Sequence, residues 1–114
     1  MIITGGEKVV PSEVESALES FPGIREALVV GMPDEKWGQI VTALLVSDTD
    51  PHPQSDAIVC GLAARLARWK SPRRIAWVSS LPFTSAGKRS RNPEVLRDLE
   101  FDVLHYRHST EAPL

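Results

Sequence analysis

The chain has 114 residues, 42% hydrophobic and 25% charged, with a formal net charge of -2; these values point to one globular domain and exclude disordered and collagen-like classes. Many of its thirteen Lys and Arg residues crowd between Arg65 and Arg91, but the acidic total and an aromatic content of 6% argue against a nucleic-acid binder. A single cysteine, Cys60, excludes an internal disulfide or a cysteine-rich metal cage and fits a reducing compartment. No apolar run reaches the roughly 20 residues of a membrane span, and the start Met1-Ile2-Ile3-Thr4-Gly5 lacks a signal-peptide pattern, so the expected location is the cytoplasm.

Pro11 to Phe21 reads as a short amphipathic helix: a proline suited to the first turn, early carboxylates near the positive helix end, and Val14, Leu18 and Phe21 on one face. Pro22-Gly23 stops it, and Ile24 to Val30 reads as a buried strand ending at Gly31 and Pro33. A second strand, Ile40 to Val46, follows the polar connection Asp34 to Gly38; so short a link predicts antiparallel pairing. Asp48 to Pro53 is a loop. From Ser55 to Trp69, the spacing of Ile58, Leu62, Leu66 and Trp69 predicts a second helix covering the sheet, with Gly61 either weakening it or marking a tight contact. Arg74 to Val78 alternates as a third strand, and Ser79 to Arg91 is a loop. Asn92-Pro93 opens a last helix to about Phe101.

The resulting class is α+β, a small sandwich with a mainly three-stranded sheet covered by helices. Residues 1–101 form the domain and residues 102–114 a polar, flexible tail. A fold of this kind hosts many functions, so the motifs must decide.

Three segments carry them: Met1-Ile2-Ile3-Thr4-Gly5-Gly6-Glu7-Lys8-Val9-Val10-Pro11-Ser12-Glu13-Val14-Glu15; Val30-Gly31-Met32-Pro33-Asp34-Glu35-Lys36-Trp37-Gly38; and Leu81-Pro82-Phe83-Thr84-Ser85-Ala86-Gly87-Lys88. In this order and spacing they resemble the glycine loop, the following strand connection and the terminal lysine loop of the C-terminal domain of AMP-forming acyl-CoA synthetases, members of the adenylate-forming superfamily. The resemblance extends over roughly residues 1 to 100. It implies a ligase domain that works with a large N-terminal adenylation domain, in cis or in trans, and is inactive without it. ATP, CoA and a carboxylic acid, fatty or aryl, would be the substrates, with Mg2+ held in the N-terminal domain. Lys88 would be the catalytic cation of the adenylation step; Gly5, Gly6 and Glu7 would line the passage for the thiol arm of CoA; and Trp37, Trp69, Lys70 and Arg73 would receive its nucleotide end.

The residue types suit these roles. A carboxylate that approaches an α-phosphate brings two anions together, and a compact ammonium on a long stem offsets their repulsion. Small residues such as Ser85, Ala86 and Gly87 let a loop enter and leave a crowded cleft. The chain departs from the family where Lys8 follows Glu7 and where Arg89-Ser90-Arg91 follows Lys88. A Walker phosphate loop is excluded, because Pro82 stands at its first glycine and Arg89 at its Ser or Thr.

Simpler readings stand beside these. A lone loop lysine is ordinarily solvated, Gly5-Gly6 can be an ordinary turn, and Trp69 can be a core residue at the end of its stripe. Cys60 reads as a small core residue, and His52, His105 and His108 as solvated, with no metal-ligand spacing. The alternative function is a stand-alone binding or interaction module that keeps the fold without the catalysis.

Overall fold

In the computed structural model, residues 1–83, 87, 90–96 and 99–104 are described. Two antiparallel strands, β1 (Ile2–Thr4) and β2 (Glu7–Val9), form a ribbon that leads into helix α1 (Pro11–Glu19). Strand β3 (Ile24–Asp34) pairs antiparallel with β4 (Gly38–Ser47), as the short connection predicts. Helix α2 (Ser55–Ala63) then crosses over to β5 (Arg74–Trp77), which lies parallel to β4 and pairs on its other side with β6 (Asp102–Val103).

The expected α+β class holds, with four strands in the main sheet, in the order β3-β4-β5-β6, rather than three. Both sheet faces are covered, which explains why β3 and β4 are continuous apolar runs and not alternating ones. Ala27, Val29, Ala43 and Leu45 pack with Leu18 of α1 and Leu62 of α2. Leu28, Val30, Leu44 and Val46 face the opposite way, against Leu81 and Leu96 of the C-terminal segment. Burial of the Val and Leu side chains among them, each contributing about 1.5–3 kcal/mol, holds the two layers to the sheet.

Five sequence expectations are corrected. β3 does not end at Gly31 but runs through Pro33, which an outer strand tolerates because no neighbouring strand needs its missing N–H. α2 ends at Ala63 rather than Trp69: Leu66 N–H still donates to Leu62 O, so the apolar stripe outlasts the helix by a turn, and then extended Ala67 breaks it before a 3-10 turn at Arg68–Lys70. The last helix is only a 3-10 turn, Pro93–Leu96, with the Glu94 N–H bonded to the Asn92 side chain at 3.0 Å. The tail does not start at residue 102, because Asp102 and Val103 extend the sheet and Leu104, 5% exposed, donates its N–H to Arg73 O at 2.8 Å. Residues 105–114, with His105 and His108, lie outside the described residues. Finally, Cys60 is exposed and not a core residue.

Gly61 marks a tight contact, made with a helix-flanking ring and not with the sheet: a Cβ there would lie 2.6 Å from Phe21 Cε2. His52 stacks on Trp77 with ring centroids 4.2 Å apart. Among the described residues, no helix is long and apolar enough to cross a membrane, and no group of His, Cys, Asp and Glu could hold a metal ion.

Candidate functional site

The ribbon turn and the β3–β4 turn meet. Thr4 and Glu7 are paired, so Gly5 and Gly6 are the two central residues of the first turn, and both have positive φ, 57° and 85°. Two-residue hairpins favour that combination because it matches strand twist, and glycine adopts it without Cβ strain. In the second turn, Asp34 Oδ2 accepts the N–H groups of Lys36 and Trp37 at 3.0 and 2.8 Å, which turns the chain and presents the Trp37 ring. Gly5 N–H donates to Trp37 O at 2.9 Å, and Ile3 N–H donates to Gln39 Oε1 at 2.9 Å, fastening the ribbon to the hairpin.

The two glycines differ in surroundings. A Cβ on Gly5 would fall 2.9 Å from Trp37 Cε3, so backbone lies directly against the indole. A Cβ on Gly6 would meet nothing within 4 Å. Gly5 therefore seats the ring, while Gly6 faces open space.

Arg73 completes this cluster, its guanidinium carbon 4.5 Å from the Trp37 ring centroid, with Lys36 Nζ at 5.2 Å. Backbone bonds fix its position: Arg73 N–H donates to Val41 O at 2.8 Å, and Arg73 O accepts from Leu104. Among the described residues its side chain makes no hydrogen bond, which leaves a planar fork of donors available to a phosphate.

Trp69 and Lys70 form a second group. Trp69 is 43% exposed, so it is a surface residue and not the end of a core stripe. Lys70 Nζ stands 5.2 Å from the Trp69 ring centroid and donates to both carboxylate oxygens of Glu13, at 3.1 and 2.9 Å. Its charge is thus partly matched within the chain. Among the described residues no hydrogen bond, ion pair or ring contact joins this group to the Trp37 cluster. Glu7 is exposed on β2 opposite Thr4. Lys88, with Thr84, Ser85, Ala86 and Arg89, lies outside the described residues; Gly87 is exposed with φ of 83°.

Lys36 and Glu13 carry no signal in the sequence, because their roles arise from contacts across separate elements. The groove of about 330 Å³ beside His52, Trp77, Arg25 and Asp50 includes none of the residues expected from the motifs.

Residues 13–88 match the model of the AMP-binding enzyme C-terminal domain. A long-chain-fatty-acid–CoA ligase of Mycobacterium tuberculosis is 42% identical over 89 residues, covering 77% of this chain and 17% of that protein. A 2-succinylbenzoate–CoA ligase of Staphylococcus aureus is 39% identical over 92 residues, covering 81% and 18%. Among solved structures, the o-succinylbenzoate CoA synthetase of Bacillus subtilis in complex with its acyl-adenylate intermediate superposes with a TM-score of 0.75 at 36% identity, covering 85% of this chain and 19% of that one. Apo MatB from Rhodopseudomonas palustris gives 0.77 at 36%, covering 84% and 20%. The chain therefore spans less than a fifth of the length of the curated relatives it matches. On this match and this likeness of fold, the chain belongs to the family of AMP-binding enzyme C-terminal domains.

Proposed function

We propose that the chain is the mobile lid of an AMP-forming acid–thiol ligase, serving two half-reactions from two surfaces. The observation that carries this reading is the family match, which runs from the first turn of α1 to Lys88 itself. In the first half-reaction a carboxylate oxygen of the acid attacks the α-phosphorus of ATP and pyrophosphate leaves. Lys88 brings its ammonium to the junction of the two anions and stabilises the charge that builds there, acting as a cation and not as a base. In the second, the CoA sulfur attacks the acyl carbon and AMP leaves. Gly5 and Gly6 then line the passage for the thiol arm, Glu7 stands at its edge, and Arg73 over Trp37 receives phosphate at the nucleotide end.

The geometry supports assigning the second surface to the glycine turn. Gly6 leaves backbone open to a thin ligand, and Arg73, over the Trp37 ring, has donors unengaged among the described residues. Trp69 and Lys70, which form a separate group, would receive phosphate on their own, with Lys70 shared between Glu13 and any bound phosphate. Mg2+ and the ATP base belong to the N-terminal domain. Acid selectivity belongs to that domain too: relatives named for a long-chain fatty acid and for 2-succinylbenzoate have similar identity to this chain. The working location is the cytoplasm, where ATP and CoA are available.

The test is reconstitution. Mixed with a matching N-terminal adenylation domain, the chain should restore pyrophosphate release and thioester formation, and Lys88→Ala should depress the first by about 100-fold while sparing thioester formation from preformed acyl-adenylate. Equal loss in both half-reactions would remove Lys88 from its role. Binding of some other partner, indifferent to Lys88, would instead identify an interaction module.

A further inference from the structure

We propose that Arg91 is a positioning residue for Lys88, acting through the root of the segment that carries both; this rests on the reading of Lys88 as the adenylation cation. Arg91 acts at the outer edge of the sheet. β3 is the outer strand, so the peptide groups of Ala27 and Val29 that point away from β4 have no strand to pair with. Left exposed, such an edge invites pairing with another chain.

Helix α1 covers it with carboxylates. Glu19 Oε2 accepts Ala27 N–H at 3.0 Å, and Glu15 Oε2 accepts Val29 N–H at 2.8 Å. Four residues of helix rise about 6 Å and two residues of strand about 6.7 Å, so Glu15 and Glu19 fall in step with Val29 and Ala27 as the helix runs antiparallel to the strand. Glu15 is only 7% exposed, so its carboxylate needs partners.

Arg91 supplies the remaining one. Its Nη1 donates to Glu15 Oε2 and, at 2.9 Å, to Val29 O, while Nη2 lies 3.4 Å from Glu15 Oε1. One guanidinium thus fastens the chain just beyond Lys88 to α1 and to β3 together. A second closure lies beside it: Ser90 N–H donates to Pro82 O at 2.9 Å, and both Leu81 and Ser90 are buried, at 3% and 8%. Pro82 and Ser90 are therefore held together, and Arg91 is bolted to the sheet edge. Lys88 stands three residues before the bolt, within about 10 Å of it even if the backbone were extended. Fixing Arg91 limits the volume from which the Lys88 ammonium can work, which is the positional restriction that catalysis by charge placement requires. The edge N–H groups are already satisfied by Glu15 and Glu19, so what Arg91 adds is the link to the lysine segment.

Two measurements test this. In the full 114-residue chain, Arg91→Met should speed hydrogen exchange of the Ser90 amide about tenfold more than that of the Leu44 amide in the sheet centre, which follows global stability. In the reconstituted ligase the same variant should lower kcat for pyrophosphate release about tenfold, with KM for ATP and acid and the rate of thioester formation from preformed acyl-adenylate held within about twofold. Arg91→Lys, which keeps the charge but not the planar fork, should recover only part of the loss. Ser90 exchange that rises no more than that of Leu44, or parallel loss in both half-reactions, overturns the proposal. If Lys88→Ala abolishes pyrophosphate release and Arg91→Met does not lower it, the anchor alone fails. If Lys88→Ala releases pyrophosphate at the wild-type rate, the reading of Lys88 fails and the anchor's purpose with it.

Discussion

Arg73 and Arg91 are the same residue type held in opposite ways. Arg73 stands over the Trp37 ring, its guanidinium carbon 4.5 Å from the centroid and its donors unengaged among the described residues, whereas Arg91 spends its donors on the Glu15 carboxylate and the Val29 carbonyl. A ring holds a guanidinium by its face and leaves its edge free; a carboxylate holds it by the edge. The first arrangement suits a cation that must meet a ligand, and the second suits a cation that must keep two pieces of backbone in register. Position in the basic stretch does not distinguish them, but the partner does.

The comparison can be broken by stability measurements, in decreasing order of effect. Glu15→Ala should cost the most, about 2–3 kcal/mol in urea unfolding, since it orphans the Val29 N–H and removes the anion under Arg91. A cost below 0.5 kcal/mol, on the scale of about 0–1 for exposed pairs, would mean that the edge is not held in this way. Gly5→Ala should follow at about 1–2 kcal/mol, because the new Cβ combines a positive φ with a 2.9 Å approach to Trp37; tryptophan emission should shift with it. Gly6→Ala should cost about 1 kcal/mol from φ alone and leave that emission unchanged. Smallest is the coupling between Arg73 and Trp37 in a double-mutant cycle, about 0.5 kcal/mol for an exposed cation over a half-buried ring. If that coupling exceeded the one between Glu15 and Arg91, the distinction between a held and an offered arginine would be reversed.

Much of the core was legible because burial leaves a periodic trace. Val14 and Leu18 sit one turn apart and are buried on α1, and the apolar runs of β3 and β4 read as strands, that of β3 as a buried one. The short connection through Trp37 correctly implied antiparallel pairing. What the residues did not reveal were features without a pattern of their own. β6 is two exposed residues, recruited by β5 and by the buried Leu104, and nothing in Asp102-Val103 reads as a strand in isolation. The stripe from Ile58 to Trp69 overstated α2 because a turn continues the four-residue spacing through Leu66 without continuing the helix.

The candidate site was legible to a similar depth. Gly5-Gly6 announced a turn, but its contact with Trp37 is a meeting of two hairpin tips more than 30 residues apart in sequence. Lys70 was read as a phosphate contact without Glu13, since an ion pair between α1 and the 3-10 turn leaves no mark in either segment. Glu15 looked like one of several helix carboxylates. Its burial follows from the edge of β3, which only the assembled sheet defines.

The match of helix rise to strand rise has one more consequence. Because Glu15 and Glu19 meet Val29 and Ala27 by measured steps, the stretch between the two glutamates can exchange its residues freely but cannot gain or lose one. An added residue would swing the second carboxylate about 100° around the helix and off the strand, leaving a bare peptide where a neighbouring molecule could attach. Length, rather than identity, is the quantity that this part of the chain must preserve.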